Sequence, residues 1–317
     1  MSSRATHATS APGKLMIAGE YAVLEGTEAI VAAVGRRAYA QLGPSEPDER
    51  VPQEAVAARL AAERRLGPVS GELSIDVTEL RQDGEKLGLG SSAAAAAAAA
   101  GLVFAAHGRS SADPEVRSQI LAAALEGHRA VAPHGSGADV AASVLGGFVR
   151  FRTLGAGVEA HPLGCPSGLE LVVVWTHKPV RTSEMLGKVR ELAVSNEPVY
   201  RARMHALADQ ADQLVSAWIG GDAAGAVEAM DGYGVAMEAL GVAAEVGIVE
   251  EKCAAIRALA RQHGGSAKPS GAGGGDVTIA AFSRTSSAEA FRAGCACQGF
   301  EVLSLELGVQ GERDEEP

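Results

Sequence analysis

The chain has 317 residues, 47% hydrophobic but only 4% aromatic, so it can bury a large core built mostly from aliphatic and alanine side chains. Its 39 acidic and 28 basic residues leave a net charge of −11, which argues against the basic surface that nonspecific nucleic-acid or anionic-membrane binding requires. A charged fraction of 21% places it among ordinary globular proteins rather than disordered ones.

The first residues, MSSRATHATSAPGK, lack the apolar segment of a signal peptide. No run reaches the roughly 20 uncharged apolar residues of a membrane span. The alanine run Ala93–Ala100 is too short and too weakly hydrophobic to qualify. Cys165, Cys253, Cys295 and Cys297 match no zinc-site spacing and read as free thiols in a reducing compartment. A cytoplasmic protein with no nucleic-acid or membrane partner is expected, as a monomer or a homodimer.

Short apolar strands are predicted over Lys14–Ile17 and Ala29–Val34, continuing through Ala38–Leu42. Gly43–Arg50, rich in Pro, Ser and acidic residues, reads as a surface connector. Glu54–Leu66 has the composition of an exposed helix, and Gly71–Val77 alternates like a strand. A Gly-rich turn, Gly88–Ser92, runs into an alanine helix that extends to about Ala106. Pro114 opens a further helix to about Ala132, followed by a small-residue turn over Pro133–Gly137.

Phe148–Phe151 and Leu169–Trp175 are strand-like, and two or more helices follow between Ser183 and Gly264, with breaks near Gly220 and Gly241. Lys268–Asp276 is a third Gly-rich turn before the apolar strand Val277–Phe282. A helix over Ser287–Gln298 and a strand over Glu301–Leu307 close the fold, and the acidic tail Gln310–Pro317 is expected to be disordered. A Gly/Pro/Ser cluster at Gly164–Gly168 suggests two domains, residues 1–165 and 166–317.

Three segments carry the chemistry. Gly88-Leu89-Gly90-Ser91-Ser92, leading into Ala93, could place unpaired helix N–H groups and a positive dipole end against a phosphate, with a serine hydroxyl on a magnesium ion. It could equally be a plain serine-capped helix. Lys268–Asp276 is either an anion-binding backbone nest or a flexible hairpin connection. Lys14, beside a Pro-Gly turn and entering an apolar strand, is either a snorkelling edge lysine or an inward-facing cation. No Walker A loop, Rossmann fingerprint or protein-kinase signature is present.

In this order and at these separations, Ala11–Val23, Gly88–Ser92 and Lys268–Asp276 resemble the three signature motifs of the GHMP kinases, a likeness that spans residues 11–282. Within the family, Gly19-Glu20-Tyr21, Lys86–Ser92, Gly135–Ala142, Gly273–Asp276 and the stretch from Trp175-Thr176 to Thr182-Ser183 resemble the branch that phosphorylates 5-phosphomevalonate.

The resemblance implies an α+β, two-domain fold: a ribosomal protein S5 domain 2-like N-terminal domain and a ferredoxin-like C-terminal one, with the active site in the cleft between them. It implies ATP bound by Gly88, Leu89, Gly90, Ser91, Ser92 and Ala93, and Mg²⁺ held at Ser92. It makes Lys14 and Asp139 the catalytic pair, a cation beside a carboxylate that orients the nucleophile more than it removes a proton. Substrate contacts fall on Lys14, Glu20, Tyr21, Ser136, Gly137, Asp139, Ser270, Gly271, Ala272 and Gly273.

Lys86, Arg150, Lys178 and Arg181 are further candidate cations for an anionic substrate. His128 falls where relatives that act on mevalonate carry a magnesium-binding glutamate, with Glu126 nearby, and imidazole is a poor ligand for so hard a cation. The competing readings are a family kinase acting on an alcohol such as mevalonate, and a catalytically silent ligand sensor with the same fold.

Overall fold

The computed structural model describes residues 7–43, 51–155 and 157–315. The connector expected after Gly43 lies outside the described residues. Strand β1 (Ala8–Ala18) is longer than its apolar run suggests, because buried small residues such as Thr9 and Ser10 extend it, while β2 (Ala29–Gly43) takes in both stretches predicted there. Helix α1 (Gln53–Leu66) follows, then β3 (Glu72–Asp76) and the short pair β4 (Arg81–Gln82) and β5 (Glu85–Lys86).

Next come α2 (Ser91–Ala106), α3 (Pro114–Val131) and α4 (Ala138–Leu145), with β6 (Phe148–Leu154), β7 (Gly157–Leu163) and β8 (Glu170–Trp175) behind them. Four helices span the region where two or more were expected: α5 (Thr182–Ser195), α6 (Glu197–Ile219), α7 (Ala223–Ala243) and α8 (Glu251–Gln262). The chain closes with β9 (Ser266–Pro269), β10 (Val277–Phe282), α9 (Thr285–Gln298), β11 (Glu301–Leu303) and β12 (Arg313–Glu315).

Two compact units interleave in sequence: residues 1–15, 31–149 and 306–317 form the first, and residues 16–30 and 150–305 the second. The sequence suggests a single linear break instead. A six-stranded sheet has the order β12-β1-β2-β6-β7, with β3 paired to β2.

In the first unit the four helices α1–α4 pack on one another. Ala55, Ala58, Ala61 and Ala62 of α1 are fully buried, as are all eight alanines from Ala93 to Ala100 in α2. Alanine buries little area per residue, but it lets helix axes approach closely, which suits a core with few aromatics. Helix α3 begins where the sequence predicts, because Asp113 accepts a hydrogen bond from Glu115 N at 2.8 Å and Pro114 occupies the first turn.

The tail is not disordered up to Glu315. Residues 313–315 pair antiparallel with Ala8–Ser10, and Glu312 is 1% exposed. Arg37, also buried, explains this: its guanidinium donates to the carbonyls of Gln310 (2.9 Å), Gly311 (2.7 Å) and Ser10 (3.1 Å), and to Ser10 Oγ at 2.6 Å. An acidic composition says nothing about backbone acceptors, so this strand was invisible in the sequence.

The second unit contains an antiparallel sheet in the order β11-β8-β10-β9. Taken along the chain, strand β8, a helical segment, β9, β10, α9 and β11 form the β-α-β-β-α-β arrangement of a ferredoxin-like domain. Val172, Val174, Ala267, Ala280 and Phe282 share a cluster with Ile256 and Leu259 of α8 and Phe291 and Cys295 of α9, so alternate strand residues cover one helical layer. Among the described residues no helix is long and apolar enough to cross a membrane.

Candidate active site

In the first unit, Lys14 N donates to Leu89 O at 2.8 Å, which lays β1 along the Gly-rich turn. Gly90 has φ +76°, and a Cβ there would lie 2.9 Å from both Cγ and Cε of Lys14. Only glycine allows the lysine stem to rest on this backbone. Lys14 is therefore half-buried in a strand whose neighbours are buried, and is not a snorkelling edge residue.

Gly90 is also the N-cap of α2, and no side chain caps this end. Ser91 and Ser92 occupy the first helical positions instead of the cap, so the plain serine-capped alternative does not hold. Both are half-buried, and Ala94 N is the first helical amide bonded to Gly90 O, at 3.1 Å. Gly88, Leu89, Gly90, Ser91, Ser92 and Ala93 thus form one turn that presents amides at the positive end of a 16-residue helix.

Asp139 lies in the first turn of α4, whose N-cap is Gly137, not Asp139. Its Oδ1 accepts from Val140 N at 2.9 Å, and its side chain is 29% exposed. Ser136 Oγ accepts from Ala138 N at 3.2 Å, and the Ser136 carbonyl accepts from Arg129 at 3.4 Å, which fixes the turn leading to Asp139. His128 is 5% exposed, with Nε2 3.9 Å from Asp139 Oδ2, too long for a hydrogen bond, and Nδ1 buried without a partner. Glu126 is engaged elsewhere. It bonds Arg64 at 2.6 Å and Arg65 at 2.7 Å, and these hydrogen bonds hold its carboxyl below the usual range.

Among the described residues no group of three or more His, Cys, Asp and Glu side chains could hold a metal. Ser92 offers one half-buried hydroxyl in the glycine-rich turn. A magnesium ion bound chiefly by nucleotide phosphates and water needs no more than this from the protein.

In the second unit, Ser270, Gly271, Ala272 and Gly273 form the loop after β9. Ser270 Oγ accepts from Met16 N at 2.8 Å and donates to Met16 O at 3.0 Å. Tyr21 is 4% exposed, has φ +62° and donates from its hydroxyl to Ala272 O at 2.5 Å. Burial, reinforced by Glu20, pushes its phenol well above the usual range. Glu20 is 2% exposed and bonded to the Lys268 ammonium.

Glu20, Tyr21 and Ser270 therefore hold the loop in this conformation, while Gly271 and Ala272 are its half-buried members and Gly273 is buried. Arg150 is bonded to Glu28, and Lys178 lies 3.4 Å from Glu250, whereas Lys86 and Arg181 are exposed. Lys268 is the member of this group that sequence reasoning passed over. In the sequence it opens a glycine-rich turn, and only the pairing of β9 with β10 places it inside a sheet.

Comparison with known proteins agrees with these motifs. Residues 53–147 match the GHMP kinases N terminal domain and residues 224–300 match GHMP kinases C terminal. A phosphomevalonate kinase from Streptomyces sp. (strain CL190) is 29% identical over 85% of this chain and 88% of its own length. A mevalonate kinase from Aeropyrum pernix is 30% identical over 58% of this chain and 61% of its own. The Streptococcus pneumoniae phosphomevalonate kinase in complex with phosphomevalonate and AMPPNP shares the fold at TM-score 0.80 and 20% identity, over 95% of this chain and 99% of that one. With both domains matched in order along one chain of the corresponding fold, this protein belongs to the GHMP kinase family.

Proposed function

We propose that this kinase transfers the γ-phosphoryl group of ATP to the phosphate of 5-phosphomevalonate, giving 5-diphosphomevalonate in the cytoplasm. The observation that carries the reading is the Lys14 stem seated on Gly90, which sets a cation at the uncapped N-terminus of α2. The similarity to the Streptomyces phosphomevalonate kinase over most of both chains supports the choice of acceptor.

In this reading the amides of Gly88–Ala93 bind the ATP phosphates and Ser92 helps to hold Mg²⁺, which would neutralise phosphate charge. The acceptor is a phosphate monoester whose second ionisation lies near pH 6. Its attacking oxygen is already anionic at neutral pH and needs no base. The larger obstacle is repulsion between two anionic groups, which Lys14 offsets. Asp139 orients the acceptor, with Ser136 and Gly137 shaping the turn that carries it. The half-buried backbone of Gly271 and Ala272 supplies further acceptor contacts, and Glu20, Tyr21, Ser270 and Gly273 act by shaping that loop. Since the transition state is loose, such positioning and charge neutralisation account for most of the rate.

ADP release by the purified protein, followed with 5-phosphomevalonate and with mevalonate, tests this directly. Turnover with 5-phosphomevalonate is expected. Turnover with mevalonate alone would overturn the choice of acceptor and favour the second reading, a mevalonate kinase, which the Aeropyrum pernix similarity supports. ATP binding without turnover on either compound would point to a ligand sensor.

A further inference from the structure

Lys268 and Glu20 form an ion pair whose side chains are 0% and 1% exposed. Burying two charges is expensive, and apolar residues of similar volume often serve stability as well or better. A pair retained at such a cost invites the question of what else it holds. Lys268 Nζ also donates to Pro269 O at 3.0 Å and lies 5.5 Å from the centre of the Tyr233 ring. Glu20 Oε1 accepts a second bond, from Gly271 N at 3.4 Å, and the Glu20 carbonyl accepts from Tyr233 Oη at 2.7 Å.

Three consecutive loop residues are thereby tied to the segment from Met16 to Tyr21: Ser270 to Met16, Gly271 to Glu20 and Ala272 to Tyr21. The loop needs such ties. Gly271, Gly273 and Gly274 have φ of +88°, +74° and +80°, and glycine backbones have many other conformations open to them.

We infer that Lys268 and Glu20 are a positioning pair, which fixes the Gly271 amide and hence the one loop conformation in which Gly271 and Ala272 meet the phosphoryl acceptor. The inference rests on the kinase reading above for the identity of the acceptor, but not for the state of the loop. Neither side chain touches a ligand, and both act through the Gly271 backbone.

The test is the paired replacement Glu20→Leu with Lys268→Met, which removes both charges together and leaves neither buried alone. Thermal unfolding, kinetics with ATP and 5-phosphomevalonate, and amide hydrogen exchange of residues 270–276 are measured on the full chain. We expect Tm to stay close to wild type, kcat to fall by about 10- to 100-fold, KM for ATP to change less than about threefold, and the loop amides to exchange faster. Unchanged kcat and unchanged loop exchange at wild-type Tm would overturn the inference.

If the double variant does not fold, Glu20→Asp is read by the same criteria, since it keeps both charges but withdraws the carboxylate from Gly271 and Lys268 by one methylene. Hydrogen exchange separates the two proposals: faster loop exchange in the variant, where the wild-type protein does not turn over 5-phosphomevalonate, upholds the tether and refutes the acceptor. Full turnover with an undisturbed loop does the reverse.

Discussion

Lys14 occupies a place that its sequence context left open between an edge lysine and an inward cation, and the deciding contact is its stem against Gly90. Replacing Gly90 with alanine has two consequences at once. The φ of +76° strains an L-residue by about 1 kcal/mol, and the new Cβ at 2.9 Å displaces the lysine stem. Gly90→Ala is expected to lower kcat/KM by about 10-fold or more while costing only about 1–2 kcal/mol of stability, measured by steady-state kinetics beside thermal unfolding. Asp139 caps no helix, so it is free to serve chemistry. Asp139→Asn should reduce kcat by about 10²-fold and leave ATP affinity within about twofold, as a nucleotide titration will show. Unaltered turnover would remove Asp139 from the mechanism. The motif spellings made these residues visible in the sequence, whereas the Lys268–Glu20 pair was not, because its members lie far apart along the chain.

At the scale of elements, α2 and the C-terminal segment depend on each other. Both carboxylate oxygens of Glu312 are buried without hydrogen-bond partners, and Oε1 would lie 2.0 Å from a Cβ at Gly101. Gly→Ala in a helix interior ordinarily stabilises by about 1 kcal/mol. Here Gly101→Ala is expected to lower Tm, and pairing it with Glu312→Ala to recover much of the loss. Burial pushes the Glu312 carboxyl up to about 8. The folded state therefore holds a proton that the unfolded chain gives up near pH 4.5. The stabilisation is complete below that value, declines as pH rises, and is lost once pH passes the folded pKa. Glu312→Gln, which mimics the protonated form, should flatten the pH dependence between about pH 4.5 and 8 and raise Tm relative to wild type at pH 9. An unchanged pH profile would show that Glu312 is not buried as described.

For the whole molecule, the C-terminal residues determine whether the first unit is complete. Ending the chain after Gly308 removes β12 and two of the carbonyls that bind Arg37, leaving a buried guanidinium short of acceptors. A loss in Tm of about 5 °C or more is expected by calorimetry, whereas a disordered tail would be dispensable.

Much of the fold was legible. The helix over 114–131, the strand over 277–282 and the three glycine-rich turns follow from proline, apolar runs and glycine clusters, which act locally. Strand β7 was missed because its residues are mostly exposed, and β9 because a lysine interrupts its apolar signal. By itself the sequence determined the family, the order of its motifs and the nature of the candidate site. Only the tertiary structure decided that Glu20 and Ser270 face inward, that Glu126 is engaged by α1, and that the acidic C-terminus is a strand. Those outcomes depend on partners distant in sequence, and no local pattern can report where a buried charge finds its counterion or a backbone carbonyl its donor.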